Sequence, residues 1–265
     1  LGVTVPDKFY DLIRSNADMF LFSPYDVERE YGEPFNYVDI TAEYDNMVRN
    51  PRIKKTKIRA RDLENEISKM QQESGYPYVI NIDTVNAANP IHGKVVSSNL
   101  CSEILQVQKA SEIGNDQQYY KMGSDVSCNL GSTNIVNMME TTDFERSVDT
   151  MVRALTFVSD NSNLDIVPSV QNGNRELHAV GLGAMGLHAF FAKNHMHYGD
   201  EEAIDFTNAY FLMLNYYTLL ASNKIAKERG ESFFEFEKSA YADGSYFNKY
   251  LMADWSPKTD KVKAI

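Results

Sequence analysis

The sequence predicts an α/β fold, because segments with strand character alternate with segments of helical periodicity along the chain. Residues 76–82 (YPYVINI) are rich in β-branched and aromatic residues, whereas residues 60–75 carry Leu63, Ile67 and Met70 at helical spacing. No internal repeat or low-complexity tract interrupts this pattern. The chain has 265 residues, of which 43% are hydrophobic and 24% charged, which is typical of a globular protein with a substantial core.

Four helices are predicted from their periodicity and their end signals. The first has Pro6 close to its first turn, and the second ends at a glycine. The third opens with a cap-like Thr-Asp pair, and the longest is acidic at its start, basic at its end and closed by Gly230. In chain order these helices cover residues 6–16, 60–75, 142–160 and 200–230.

Three further segments are predicted to be extended. Residues 126–139 (VSCNLGSTNIVNMM) contain a glycine that indicates a bulge or a close backbone approach. Residues 178–194 have the pattern of a glycine-broken strand that passes into a helix. The β-branched pair Val95-Val96 leads into SSNLCSEI (97–104) and favours an extended backbone there.

In an extended chain, residues two positions apart point to the same face. Asn99, Cys101 and Glu103 would then share one small patch, with Leu100 and Ser102 turned away. A buried amide and carboxylate beside a thiol cost free energy unless they serve a ligand or each other. The pattern therefore indicates a ligand site.

The second of the two cysteines, Cys128, follows Cys101 by 27 residues in another segment predicted to be extended. Two strands of one sheet or barrel could bring both thiols into one pocket. The alternative is that both cysteines are small buried hydrophobic residues. Two cysteines do not form a disulfide framework, so a reducing, cytoplasmic environment is expected.

The net charge is −11, from 26 basic and 37 acidic residues. Such a surface argues against nucleic acid and anionic membrane as partners. The longest apolar stretch is too short to span a bilayer, and no signal-peptide pattern opens the chain.

The segment GLGAMG matches the G-x-G-x-x-G dinucleotide fingerprint at Gly181, Gly183 and Gly186. A dinucleotide-binding fold has this motif in its first βαβ unit, whereas about 180 residues precede it here. A tight backbone turn against packed neighbours explains the glycines equally well, so we expect no nicotinamide cofactor.

Histidines and tyrosine pairs are weaker candidates. His195 and His197 with Asp200 lack a further cluster of ligands, so we predict no metal site and two solvated histidines. The pairs Tyr119–Tyr120 and Tyr216–Tyr217 are expected to have structural roles, the second within a long amphipathic helix.

The sequence resembles the large catalytic (alpha) subunit of class I ribonucleotide reductase, and most of all its class Ib branch. The resemblance includes SSNLCSEILQ, DVSCNLGSTNIVNMM and HAVGLGAMGLH, and it covers essentially all 265 residues. The N-x-C-x-E core with a downstream cysteine is its specific signal. The glycine stretch has its own counterpart in the family, as a barrel segment unrelated to nicotinamide.

This resemblance implies part of a ten-stranded α/β barrel with a central finger loop, and Cys101 at the tip of that loop. It implies that Cys101 becomes a thiyl radical, that Glu103 accepts the 3′ hydroxyl proton and that Asn99 hydrogen-bonds the sugar hydroxyls. Residues 99–103, which include Leu100 and Ser102, would line the substrate. Cys128 would be one of two redox-active cysteines.

The implied activity is the reduction of ribonucleoside diphosphates to deoxyribonucleotides, the precursors of DNA. No cofactor would be bound in this chain, since a metal-containing small subunit supplies the radical in this class. An external dithiol of the glutaredoxin or thioredoxin type would act as reductant, and the full-length subunit would form a homodimer under allosteric control.

Residues 1–265 would form the central part of the catalytic barrel domain and would be a fragment of a longer chain. The second redox cysteine, the relay tyrosines and the phosphate loop are then expected outside it. Two alternatives remain: a class II relative that uses adenosylcobalamin, and a non-catalytic segment of a split enzyme.

Overall fold

The computed structural model describes residues 2–265, which form two compact units. The first unit extends to Lys109, and the second runs from Ala110 to Ile265. Both units combine helices with short strands, so the predicted α/β class is confirmed. No helix within residues 2–265 has both the length and the apolar character needed to cross a membrane.

The first unit contains two separate strand pairs. Strand β1 pairs with β4 in parallel, with Gly2 opposite Tyr78, and β2 pairs with β3 in antiparallel fashion. Its elements are β1 (Gly2–Val5), α1 (Asp7–Arg14), β2 (Asp18–Phe22), α2 (Pro24–Tyr31), a 3-10 turn (Phe35–Tyr37), α3 (Ile40–Arg49), β3 (Lys55–Arg59), α4 (Ala60–Ser74), β4 (Tyr78–Asn81) and α5 (Ile82–Ala88).

Two hydrophobic clusters hold the first unit together. One surrounds Phe9 and Ala60, where α1 packs against α4. The other consists of Val27, Val38, Met47 and Ile53, and it fixes the 3-10 turn beside α2 and α3. The loop that carries Cys101 therefore begins and ends in a unit with its own core.

The second unit is larger and mainly helical. Strand β7 pairs in parallel with β8, and β5 pairs with β6 in antiparallel fashion. Its elements are β5 (Glu112–Ile113), β6 (Tyr119–Lys121), β7 (Leu130–Asn134), α6 (Ile135–Glu140), α7 (Phe144–Asn161), α8 (Pro168–Leu177), β8 (Gly181–Met185), α9 (Leu187–Lys193), α10 (Glu201–Arg229), two 3-10 turns (Phe236–Lys238 and Ser245–Phe247), α11 (Asn248–Leu251) and α12 (Asp260–Lys263).

Helix α10 lies at the centre of the second unit's core. Tyr210 is 1% exposed, and its hydroxyl lies 3.2 Å from Thr133 Oγ1 of β7. Helix α7 packs along α10, and Arg153 donates to both carboxylate oxygens of Glu228 at 2.7 Å. Burial of apolar side chains stabilises the packing of α7 and β7 on α10, whereas the exposed Arg153–Glu228 ion pair adds little to the free energy of folding.

All four predicted helices are present, with the predicted end signals. Pro6 precedes α1, and Asp143 Oδ1 accepts from Arg146 N at 2.9 Å at the start of α7. Gly75 and Gly230 end α4 and α10 in the left-handed conformation. The strands predicted at 76–82 and 178–194 correspond to β4 and β8.

The strand predicted over residues 126–139 is correct only in part. Strand β7 ends at Asn134, and α6 begins at Ile135. The side chain of Asn134 accepts a hydrogen bond from Asn137 N at 3.2 Å, so it caps the helix. A local side-chain contact thus ends the strand within the predicted segment, and the chain continues as helix.

The glycine motif lies on β8 and at the start of α9. Gly186 has φ +84°, a conformation that a side chain disfavours, and it forms the turn between the strand and the helix. Gly181 and Gly183 lie in the strand opposite Leu130 and Ser132. The turn-and-packing role predicted for this motif agrees with this arrangement.

Gly173 on α8 is a stronger steric constraint than any glycine of that motif. A Cβ at this position would overlap the carbonyl oxygen of Asp125, whose backbone N–H donates to Ser169 O at 3.0 Å. We expect Gly173→Ala to lower the free energy of unfolding by about 1–3 kcal/mol, because backbone cannot yield as a side chain can. Urea unfolding of the purified protein measures this loss.

Gly183→Ala is the matched control, since its Cβ would meet nothing closer than 3.6 Å. Equal unfolding midpoints for the two variants would contradict the close contact proposed for α8.

Candidate active site

Residues 94–108, here called the Cys101 loop, have buried ends and an exposed tip. Val95 and Ile104 are 1% and 8% exposed, whereas Leu100 is 83% exposed. Cys101 is exposed as a free thiol at the tip. The loop therefore presents Cys101 on a segment whose two sides are anchored by apolar burial.

The tip is a turn, so the predicted extended backbone through residues 97–104 is wrong. Ser102 N donates to Asn99 O at 3.0 Å, and Ser102 has φ +64°. The cause is the Asn99 side chain, whose Oδ1 accepts from the backbone N–H groups of Glu103 and Ile104 at 3.1 Å each. Asparagine side chains favour turns through such local bonds.

The turn still gathers the predicted residues, although not by strand alternation. Asn99, Leu100, Cys101, Ser102 and Glu103 all lie within this single turn or directly after it. Asn99 uses its side-chain oxygen for the turn, and its Nδ2 makes no hydrogen bond to the described residues. That NH₂ group is therefore available as a donor to a ligand.

The loop packs on the first strand pair. A Cβ at Gly2 would lie 3.2 Å from Ser102 Oγ, and Gly2 pairs with Tyr78 of β4. The rings of Tyr76 and Tyr78 pack at a tilt of 58°, with their centroids 5.1 Å apart. The pKa of Tyr78 is raised, chiefly by its hydrogen bond with the Tyr76 hydroxyl and more weakly by the nearby charge of Cys101.

These two tyrosines were missed as neighbours of the thiol. Residues 76–82 were predicted only as a strand, yet the spacing of Tyr76 and Tyr78 was a usable signal. Residues two apart in a strand share a face, so this spacing indicates that both rings lie on one side of the predicted strand.

Cys128 lies in the second unit, two residues before β7, and its side chain is exposed. The next residue fixes the backbone there. Asn129 Nδ2 donates to Leu155 O at 2.7 Å and to Ser159 Oγ at 2.8 Å, while Asn129 O accepts from Gly181 N at 2.9 Å.

The exposure of Cys101 and Cys128 excludes the alternative of two small buried hydrophobic residues.

Of the remaining candidates, Tyr217 has a packing role, whereas the histidines and the other tyrosines are exposed. His197 N donates to Asp200 Oδ2 at 3.0 Å in the turn before α10, and residues 2–265 contain no group of three potential metal ligands. Tyr217 packs on Phe144 at 5.7 Å. Tyr216 and the pair Tyr119–Tyr120 are exposed, so they do not fill a core.

Asn99 offers a direct test of the turn. We expect Asn99→Ala to speed hydrogen exchange at the Glu103 and Ile104 amides about fivefold, because each loses a hydrogen bond of about 1 kcal/mol. Asn99→Asp retains the acceptor oxygen and is expected to keep the protection. Hydrogen exchange is measured by NMR or mass spectrometry. Equally fast exchange in both variants would contradict the role of Asn99 Oδ1 as the acceptor in this turn.

Comparison with known proteins identifies the family. The family model described as "Ribonucleotide reductase, barrel domain" matches residues 1–264. Proteins named ribonucleoside-diphosphate reductase subunit alpha are similar to this chain: 46% identical in Mycoplasma pneumoniae and 42% in Bacillus subtilis, over 100% and 99% of the chain. The Treponema pallidum protein of the same name is 31% identical over 96% of it.

The chain spans 37% of the Mycoplasma pneumoniae relative, 38% of the Bacillus subtilis relative and 32% of the Treponema pallidum relative. The match extends over both units and includes the Cys101 loop and Cys128. The resemblance seen in the sequence is thereby confirmed, and the chain belongs to the ribonucleotide reductase barrel-domain family.

Proposed function

We propose that the full-length protein that contains this segment reduces ribonucleoside diphosphates to 2′-deoxyribonucleoside diphosphates by thiyl-radical chemistry. The observation that carries the proposal is Cys101, an exposed thiol at the tip of an anchored loop, in a chain that matches the barrel family from residue 1 to 264. Residues 1–265 would form the central part of a ten-stranded catalytic barrel, and the Cys101 loop its central finger. The parallel pairs β1–β4 and β7–β8 are compatible with such a barrel.

In this mechanism Cys101 carries the reactive sulfur. Its thiyl form takes the hydrogen atom from C3′ of the ribose, so an S–H bond forms and a carbon radical remains. Glu103 accepts the proton of the 3′ hydroxyl, a role suited to a carboxylate once the adjacent radical makes that hydroxyl acidic. Cys101 returns its hydrogen atom at the end of the reaction.

Asn99 would orient the sugar. Since its Oδ1 is used by the turn, the Nδ2 group is the atom that meets the substrate, and it donates to a sugar hydroxyl oxygen. Leu100 and Ser102 would line the same side of the ribose. Positioning of this kind supplies much of a catalytic rate.

Cys128 would supply reducing equivalents. The 2′ hydroxyl leaves as water after it takes a proton from a thiol, and two thiols give up two electrons and become a disulfide. The second thiol would come from another part of the longer protein. An external dithiol of the glutaredoxin or thioredoxin type would then reduce the disulfide.

The radical itself would originate in a separate small subunit that contains a metal centre. The full-length subunit would act as a homodimer. These partners are proposed from the family resemblance, since radical chemistry requires a source of the unpaired electron.

The test combines the full-length protein, the small subunit, a dithiol and cytidine diphosphate, and measures deoxycytidine diphosphate. We expect product only when the small subunit is present. Product with adenosylcobalamin and without the small subunit would indicate the class II alternative. Absence of product with a radical-active small subunit would contradict the proposal and favour a non-catalytic segment.

A further inference from the structure

Three hydrogen bonds form a closed cycle at the base of the Cys101 loop. Lys94 Nζ donates to Tyr37 O at 2.6 Å, and the Tyr37 hydroxyl donates to Gln108 O at 2.9 Å. Gln108 N donates to Lys94 O at 3.2 Å and completes the cycle. Lys94 and Gln108 are the first and last residues of the loop, so the cycle ties its two ends together.

Further contacts hold the same two ends. The Asn86 carboxamide accepts from Val95 N and donates to Val95 O, both at 2.9 Å. A Cβ at Gly93 would overlap the side chain of Val107, so the two ends touch. Val95 and Val107 are 1% and 7% exposed. Little freedom is left in the spacing between the ends.

The cycle is attached to the core of the first unit rather than to the loop tip. Tyr37 ends the 3-10 turn Phe35–Tyr37, and the next residue, Val38, belongs to the buried cluster with Val27 and Met47. Lys94 Nζ also donates to Val38 O at 3.2 Å. The loop ends are thus hydrogen-bonded to residues that adjoin the buried cluster of the first unit.

Cys101 lies at the midpoint of the loop, seven residues from Lys94 and seven from Gln108. Any change in the spacing or tilt of the ends therefore moves the tip. Displacement of a reacting atom by about 1 Å can lower a rate about 10²-fold.

We propose that Tyr37 and Lys94 are positioning residues for Cys101: they lock the ends of its loop to the core and so set where the thiol stands. Neither residue belongs to the turn of residues 99–103. The catalytic consequence rests on the proposed function, whereas the restraint on the loop does not.

The test uses the full-length protein with Tyr37→Phe, which removes only the hydroxyl. Tyr31→Phe is the matched control, since the Tyr31 hydroxyl donates to Glu43 at 3.1 Å in the same unit and outside the loop. We expect hydrogen exchange across residues 95–107 to rise about fivefold in Tyr37→Phe and to stay unchanged in Tyr31→Phe, as for the loss of about 1 kcal/mol from one bond.

Turnover supplies the second measurement. We expect Tyr37→Phe to lower kcat about tenfold or more while KM for the diphosphate rises less, because the thiol is misplaced and the substrate contacts remain. Lys94→Met is expected to behave like Tyr37→Phe, and Lys94→Arg to recover part of the loss since it keeps N–H donors. Melting temperatures of the variants show that the fold is retained.

The outcomes are distinct. Exchange in residues 95–107 that does not differ between Tyr37→Phe and Tyr31→Phe overturns the proposal, as does faster exchange with unchanged kcat. If the wild-type protein reduces no nucleotide, the proposed function fails. The exchange comparison then still decides whether the cycle restrains the loop.

Discussion

Replacement of Cys101 by serine in the full-length protein is expected to abolish nucleotide reduction. A hydroxyl cannot be converted to a radical at the cost at which a thiol can, so the first hydrogen transfer from the sugar does not occur. We expect a loss of at least about 10⁴-fold, which corresponds to only about 5.5 kcal/mol of added barrier. Formation of deoxynucleotide in the presence of the small subunit measures the loss.

The exposed position of Cys101 makes this substitution a clean one. Serine in its place removes no buried contact, so the melting temperature should be unchanged. Ser97→Ala is a suitable control, because Ser97 is exposed and its hydroxyl makes only a 3.4 Å bond to Ser98 O. Turnover of Cys101→Ser close to that of the control would end the thiyl-radical interpretation.

Cys128→Ser is expected to give a different kind of failure. If Cys128 delivers reducing equivalents, its loss leaves Cys101 able to form its radical and attack the 3′ position. The reaction then begins but lacks its proton and electron donor. We expect free base and phosphates to be released from a decomposing ribose, while the radical of the small subunit is lost.

The two cysteine variants should therefore be compared side by side. Each is incubated with the small subunit and a ribonucleoside diphosphate, and free base and the radical signal are followed over time. Cys101→Ser should leave both the substrate and the radical intact. Two equally inert variants, or two active ones, would contradict the division of labour between the cysteines.

Several features of the fold could be predicted because their causes are local. Pro6, Asp143, Gly75 and Gly230 mark helix ends through backbone geometry and side-chain caps that act within one turn. The α/β class follows from the same local periodicities. The N-x-C-x-E core identified the family and the candidate residues Asn99, Cys101 and Glu103.

Helix α8 shows why other elements could not be predicted. Its sequence, PSVQNGNREL, contains glycine and two asparagines and has low helix propensity. Tertiary contacts stabilise it: Asn174 Nδ2 donates to Ser159 O, and Asn172 Nδ2 donates to Gly123 O, both at 2.9 Å. These partners lie 15 and 49 residues away, beyond the reach of any local pattern.

The Cys101 loop combines both kinds of cause. The sequence by itself predicted the candidate residues, because it places an amide, a thiol and a carboxylate at Asn99, Cys101 and Glu103 in the N-x-C-x-E core. Only the tertiary structure decided their arrangement. The β-branched pair before the loop favours an extended backbone, but the Asn99 side chain forms a turn by accepting hydrogen bonds from the backbone of Glu103 and Ile104. The ends of the loop are held by Tyr37, which lies 57 residues from Lys94 and 71 from Gln108. Long-range contacts of this kind depend on the packed core, and no window of the sequence contains them.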